Sequence, residues 1–349
     1  RIPTLKVLVT GGAGYVGSLL VPTLFAAGHE VTVYDTLWFG DGYLTRDDEH
    51  PVIQADIRDI DKFRESVKGM DAVIHLACLS NDHCCQLDEK LSTEINYDAF
   101  EPLVLAAKEA RVKRFIYCSS SSVYGISESP DVTEDHPLIP LTLYNKYKGL
   151  CEPLLLAQQT VDFTTVIIRP ATVCGYAPRM RFDLTVNIMT MHAVKKGVIT
   201  VFGGKQKRPN LHIKDMVDVY KFLLKAPKEK IAGQIFNIGK QNMTVLEIAD
   251  LISEIVKDCG FAEPYMNIQE SQDNRSYHIN SDKIKRVLGF EPYHTVEDAI
   301  MDMCIRFQDG YCKDALTNPI YTNVLQYVQK HGMGKEAKHE AKHEATHEA

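Results

Sequence analysis

Through the first half of the chain, short runs of apolar and β-branched residues alternate with longer amphipathic stretches. Lys6–Val9, Val31–Tyr34, Val52–Gln54, Ala72–Leu76, Phe115–Cys118 and Thr165–Ile168 read as strands. Helix-length segments at Gly17–Ala27, Asp59–Val67, Leu91–Ala110 and Tyr144–Gln159 lie between several of them. Such alternation predicts an α/β fold built on a doubly wound parallel sheet. After about Pro170 the regularity weakens: proline, glycine and basic residues cluster at Gly175–Arg181 and Gly203–Pro209, before helical patterns at Val245–Lys257, Val296–Phe307 and Ile320–His331. The expected organisation is therefore a sheet domain over 1–170, with segments near 213–239 returning to it. A smaller, less regular C-terminal lobe over 171–333 is expected to bind substrate. Ligands of doubly wound sheets sit beyond the carboxyl ends of the strands, which places the expected site in a cleft between the lobes.

The tail over 334–349 repeats a Lys/Thr-His-Glu-Ala unit that sets His339, His343 and His347 four apart. It reads as a solvated, disordered appendage outside the fold rather than a metal-chelating helix face.

Composition narrows the function classes. A chain of 349 residues with 45 % hydrophobic and 24 % charged positions can bury a large core. Its apolar runs fall far short of the roughly 20 residues of a membrane helix, and no secretory segment opens it, so a cytoplasmic protein is expected. Nine cysteines without a C-x-x-C pair fit reduced thiols; the adjacent Cys84 and Cys85 have no partner motif, and no metal is expected. The net charge of −7 opposes nucleic-acid binding, so an anionic ligand requires a local basic site.

Directly after the first strand stands Gly11-Gly12-Ala13-Gly14-Tyr15-Val16-Gly17, followed by an apolar helical pattern. Glycines so spaced permit a tight strand-to-helix turn and let backbone approach a pyrophosphate at a helix N-terminus. Asp35 ends the second strand, where a carboxylate accepts hydrogen bonds from ribose hydroxyls and repels a 2′-phosphate, favouring NAD over NADP. Tyr144 and Lys148, four apart at the start of a helix pattern, share one face. An ammonium beside a phenol lowers the phenol's pKa from about 10, and a cationic nicotinamide lowers it further, giving a base for a sugar hydroxyl. Arg179 and Arg181 after a glycine–proline stretch, and Arg208 and Arg275 further on, offer guanidinium forks for a diphosphate.

The Gly-x-x-Gly-x-x-Gly spacing, the Tyr-x-x-x-Lys pair and the serine run Cys118-Ser119-Ser120-Ser121-Ser122-Val123-Tyr124-Gly125 together resemble the extended short-chain dehydrogenase/reductase family, in its NAD-dependent nucleotide-sugar epimerase/dehydratase group. The likeness spans about Lys6 to Phe307. It implies a Rossmann-type sheet and the catalytic set Ser120, Tyr144 and Lys148. Ser120 would donate to the reacting sugar oxygen and Lys148 would anchor the nicotinamide ribose. It places Gly11, Gly14, Tyr15, Val16, Gly17, Asp35, Asp56, Ile57, Leu76, Ala77, Cys78 and Asn96 near NAD, Cys78 replacing the family's usual alanine. It places Thr172, Arg208 and Arg275 on a nucleotide diphosphate sugar, with Thr172 where 4-epimerases often carry asparagine, which leaves the sugar open. The family's 4,6-dehydratases carry an acidic pair where Ser121 and Ser122 stand, so C4 epimerisation is expected first and net C4 oxidation or 4-keto reduction second. Dehydration and a non-catalytic NAD-binding role rank behind these. The likeness also implies a homodimer formed through Leu91–Ala110 and Tyr144–Gln159.

Overall fold

The computed structural model describes residues 3–44, 50–271 and 275–332. The tail over 334–349, with His339, His343 and His347, lies outside the described residues. The strands are β1 (Lys6–Thr10), β2 (Glu30–Asp35), β3 (Val52–Gln54), β4 (Ala72–His75), β5 (Arg114–Cys118), β6 (Thr164–Pro170), β7 (Thr172–Cys174), β8 (Val198–Phe202), β9 (Lys207–His212), β10 (Gln234–Ile238), β11 (Gln241–Thr244) and β12 (Tyr265–Gln269). Seven of them form one sheet in the order β10-β6-β5-β4-β1-β2-β3, every neighbouring pair parallel. This is the doubly wound, Rossmann-type sheet that the alternating pattern predicts.

Its helices are α1 (Gly17–Ala26), α2 (Ile60–Val67), α3 (Asp82–Leu87), α4 (Glu89–Thr93), α5 (Phe100–Glu109) and α6 (Leu143–Leu156). Successive strand residues face opposite sides, so both faces need cover. Val7 and Val9 pack with Leu20 and Leu24 of α1, whereas Leu8 packs on the other side with Phe63 of α2 and Leu103 of α5. Each of these side chains is fully buried.

One predicted helix is broken. The segment expected as a single helix over Leu91–Ala110 holds the end of α4, a π-turn at Glu94–Asp98 and then α5. Pro102 lacks the N–H that a regular helix would donate to Asp98, and a wider turn just ahead of it absorbs the mismatch.

Beyond β6 the chain weaves between two bodies. The second lobe holds the small sheets β11-β9-β7 and β12-β8. Over them pack α7 (Thr185–Lys196), α10 (Val245–Asp258) and α12 (Val296–Gln308), around Met189, Ile199, Val201, Ile252, Ile300 and Met303. Yet α8 (Ile213–Lys225) packs against α1, and β10 extends the main sheet beside β6. The elements α9 (Lys228–Ile231) and α11 (Asp282–Leu288) flank β10. The last helix, α13 (Asn323–Lys330), lays Val324, Tyr327 and Val328 into the core on the α2/α5 side of the main sheet.

A buried ion pair ties the centre together. Glu152 on α6 and Arg169 on β6 are 2 % and 3 % exposed, and the guanidinium donates to both carboxylate oxygens, at 3.0 and 2.5 Å. The carboxylate also accepts from Ser119 Oγ at 2.6 Å. Arg169 donates further to the Tyr124 hydroxyl at 2.8 Å and the Glu134 carbonyl at 3.1 Å, and Tyr124 donates to Asn237 on β10. Removing one member of a satisfied buried pair strands the other charge. Glu152→Ala is expected to lower stability by about 3–5 kcal/mol, whereas the double variant Glu152→Met with Arg169→Met loses less. Thermal melts of the two variants check this ordering.

Candidate active site

The strand order reverses between β1 and β4, and the cleft at their carboxyl ends opens into a cavity of about 700 Å³ bordered by both lobes. Here β1 runs into the glycine turn. Gly11 has φ +71°, and a methyl group on it would lie 2.8 Å from the Ala77 nitrogen. A methyl on Gly17 would lie 2.5 Å from the carbonyls of Gly11 and Gly12. The turn thus seats against the end of β4 only without side chains, and it presents the N-terminus of α1 to the cavity, where a helix dipole favours negative charge. At the end of β2, the Asp35 carboxylate accepts from Ala13 N at 3.0 Å and Leu37 N at 2.8 Å. Burial pushes its pKa up, and these donors oppose that shift. This bare cradle, with a helix N-terminus and a carboxylate beside it, fits a dinucleotide.

Gly11, Gly14, Tyr15, Val16, Gly17, Asp35, Asp56, Ile57, Leu76, Ala77 and Cys78 all border the cavity. Arg58 holds Asp56 through its side chain at 3.1 and 2.9 Å; burial pushes the Asp56 carboxyl up and the guanidinium more than offsets it, leaving the pKa low. Asn96 does not border the cavity. From the π-turn its amide accepts from Leu79 N at 2.8 Å and donates to Leu79 O at 3.1 Å, bracing the segment behind the wall. The adjacent thiols of Cys84 and Cys85 are buried, and burial pushes Cys85 up to about 12. Among the described residues no three His, Cys, Asp or Glu side chains are grouped to hold a metal ion.

Ser120, Tyr144 and Lys148 share one wall. Thr142 caps α6 by accepting from Asn145 N, which fixes the first turn where Tyr144 sits. One turn on, Lys148 Nζ donates to the Cys118 carbonyl at 2.7 Å and lies 5.7 Å from the centre of the Tyr144 ring. Burial disfavours the ammonium, but Cys78, Tyr117 and Tyr144 around it hold its proton on and raise its pKa. The phenol departs from the expectation: burial pushes Tyr144 above its ordinary value, and the Lys148 charge only partly opposes this. Ser120 Oγ lies 2.6 Å from Ser122 Oγ, which donates to Asn145 Oδ1. Hydroxyls, not carboxylates, occupy positions 121 and 122 on this wall.

The basic residues separate into different places. Arg208 on β9 donates to the Arg275 carbonyl at 2.6 Å and lies over the Tyr277 ring, so residues 67 apart meet at the cavity edge with Thr172 of β7 nearby on its wall. Arg181 is paired with Asp183 at 2.7 Å and donates to the Ser80 carbonyl at 2.8 Å. Arg179, expected beside it, lies instead against α1 and Phe39, and its backbone N–H donates to Ser18 Oγ. His212 and Asp215 serve the framework: His212 Nδ1 accepts from Lys214 N, and Asp215 accepts from the backbone N–H groups of Tyr293 and His294. Ser80, Asn81, Asp183 and Asn323, which no motif in the sequence singles out, also stand on the cavity border. They form one network, Asp183 accepting from Asn81 Nδ2 and Asn323 N. Nothing in the pattern at 320–331 marks it as returning to the first lobe.

Known proteins resemble this chain in sequence and fold. The chain is 29 % identical over 328 residues to a UDP-glucose 4-epimerase of Lactobacillus helveticus, covering 85 % of this chain and 95 % of that one. It is 26 % identical over 323 residues to a dTDP-glucose 4,6-dehydratase of Streptomyces niveus, covering 88 % and 94 %. The crystal structure of a UDP-glucuronic acid 4-epimerase from Bacillus cereus, in complex with UDP-glucuronic acid and NAD, matches with TM-score 0.77 at 26 % identity, covering 88 % of this chain and 100 % of that one. Residues 7–239 match the model of the NAD dependent epimerase/dehydratase family. That stretch takes in the glycine turn, the serine run and the helix of Tyr144 and Lys148: the chain belongs to the NAD dependent epimerase/dehydratase family, and the protein is an enzyme.

Proposed function

We propose that the protein is a nucleotide-sugar 4-epimerase, working by transient oxidation at C4 of a nucleotide diphosphate sugar. The observation that carries this reading is the wall formed by Ser120, Tyr144 and Lys148 facing the same cavity as the glycine turn, with hydroxyls at positions 121 and 122. NAD⁺ bound along that turn supplies a reversible acceptor for the C4 hydride. Tyr144 takes the C4 hydroxyl proton and later returns it, Lys148 holds its charge beside the phenol, and Ser120 donates to the sugar oxygen. Arg208 and Arg275 hold the diphosphate, so the oxidised sugar can turn over while it stays tethered. Hydroxyls at 121 and 122 are poor acids and bases near neutral pH, which argues against the dehydration carried out by relatives with an acidic pair. Exposed Leu105 on α5 and Leu150 on α6 support a homodimer through these helices.

Inversion at C4 of a UDP-, GDP-, dTDP- or CDP-sugar without net NADH is the expected result of a substrate screen. Stoichiometric NADH would select net oxidation instead. Tyr144→Phe is expected to cut turnover about 10²–10⁴-fold while NAD binding persists; retained turnover would refute the base. Because the cofactor-free phenol is raised and its ionised form is the base, the rate should climb with pH as the proton leaves. NAD⁺ should move phenolate formation to lower pH, read by ultraviolet difference absorbance against Tyr144→Phe. Leu150→Glu is expected to halve the particle mass in sedimentation.

A further inference from the structure

Arg179 is a buried charge with poor compensation. It is 1 % exposed, yet among the described residues no carboxylate lies within ion-pair distance of it. Its Nη2 donates to two neutral acceptors, the Ile320 carbonyl at 3.0 Å and Asn323 Oδ1 at 2.8 Å. Its Nε is buried without a partner. One face of the guanidinium lies 3.6 Å from the centre of the Phe39 ring. Two carboxylates act on it from further off, and both are committed elsewhere: Asp183 to Arg181, Asn81 and Asn323, and Asp35 to Ala13 and Leu37. Burial, joined by the like charge of Arg181, pulls its pKa down to about 9 against the opposing pull of Asp183 and Asp35. An arginine so placed is costly unless something negative arrives.

The place it occupies says what arrives. Arg179 borders the main cavity together with Gly14, Val16 and Gly17. Its backbone N–H is fixed to Ser18 Oγ in the first turn of α1, so residue 179 of the second lobe is pinned to the helix N-terminus of the first while its side chain borders the same cavity. Both features favour an anion in that cavity.

We propose that Arg179 is a cofactor-binding residue, contributed by the second lobe to the diphosphate of the dinucleotide opposite the N-terminus of α1. The guanidinium, held by Ile320 and Asn323 and not by the Arg208–Arg275 corner, completes the phosphate site that the glycine turn begins. The inference rests on the assignment of the glycine turn to NAD.

Calorimetric titration of the full chain with NAD⁺ and NADP⁺, beside thermal melts without cofactor, tests it. Arg179→Met is expected to weaken NAD⁺ binding about 10–100-fold and to raise the cofactor-free Tm, because an uncompensated buried charge has gone. Arg179→Lys should recover part of the affinity. Unchanged NAD⁺ affinity in Arg179→Met, or a loss confined to NADP⁺, overturns the proposal, the latter because it assigns Arg179 to a 2′-phosphate. A fall in the cofactor-free Tm also overturns it, since that marks a purely structural role. Should the unaltered protein fail to bind NAD⁺, it is the assignment of the glycine turn that falls.

Discussion

The Glu152–Arg169 pair is the constraint on which the wall of Ser120, Tyr144 and Lys148 depends. Two opposite charges buried in the middle of a protein are tolerable only when every remaining lone pair and N–H is satisfied. Here that requirement draws in five elements at once: α6 through Glu152, the end of β5 through Ser119, β6 through Arg169, the turn at Tyr124, and β10 through Asn237. Tyr144, Lys148 and Glu152 follow one another at four-residue steps along α6 and share one face. The carboxylate two turns below the phenol thereby fixes the rotation of the helix. Lys148, midway, is held from the other side by the Cys118 carbonyl. The spacing between the serine run and the Tyr–Lys pair is a by-product of charge burial.

Much of this was legible in the residues. Glycine positions report backbone that has no room for a Cβ, and the tight approaches at Gly11 and Gly17 are what the pattern at 11–17 implies. Continuous apolar strands report burial on both faces, and all six early strands appear within a few residues of their expected bounds. The proximity of Tyr144 and Lys148 was legible because a four-residue step on a helix fixes it without any knowledge of the tertiary fold.

What the sequence hid depended on contacts between distant segments. Asn96 carries the right chemistry for a ligand, but the π-turn places its amide on the backbone of Leu79. Arg179 and Arg181 are two apart and read as a pair of forks, yet one meets Asp183 and the other is buried beside α1. The phenol of Tyr144 illustrates a conflict of magnitudes: a neighbouring ammonium and desolvation push in opposite directions, and only the burial in the fold decides which prevails. The amphipathic helix at the end of the described chain has an apolar face whose partner no local pattern names, and Val324, Tyr327 and Val328 find it in the first lobe.

That final return has a kinetic meaning. The chain leaves the main sheet after β6, comes back for α8 and β10, leaves again and comes back for α13, so several covalent crossings join the two bodies and no single linker can act as a hinge. Asn323, bonded to Ser80 and Arg179 on the cavity border, ties the two bodies together like a stitch made after the others. Opening the cavity therefore means moving segments of both lobes that are tied at several points, so any group bound between them exchanges more slowly than it would across a one-linker hinge.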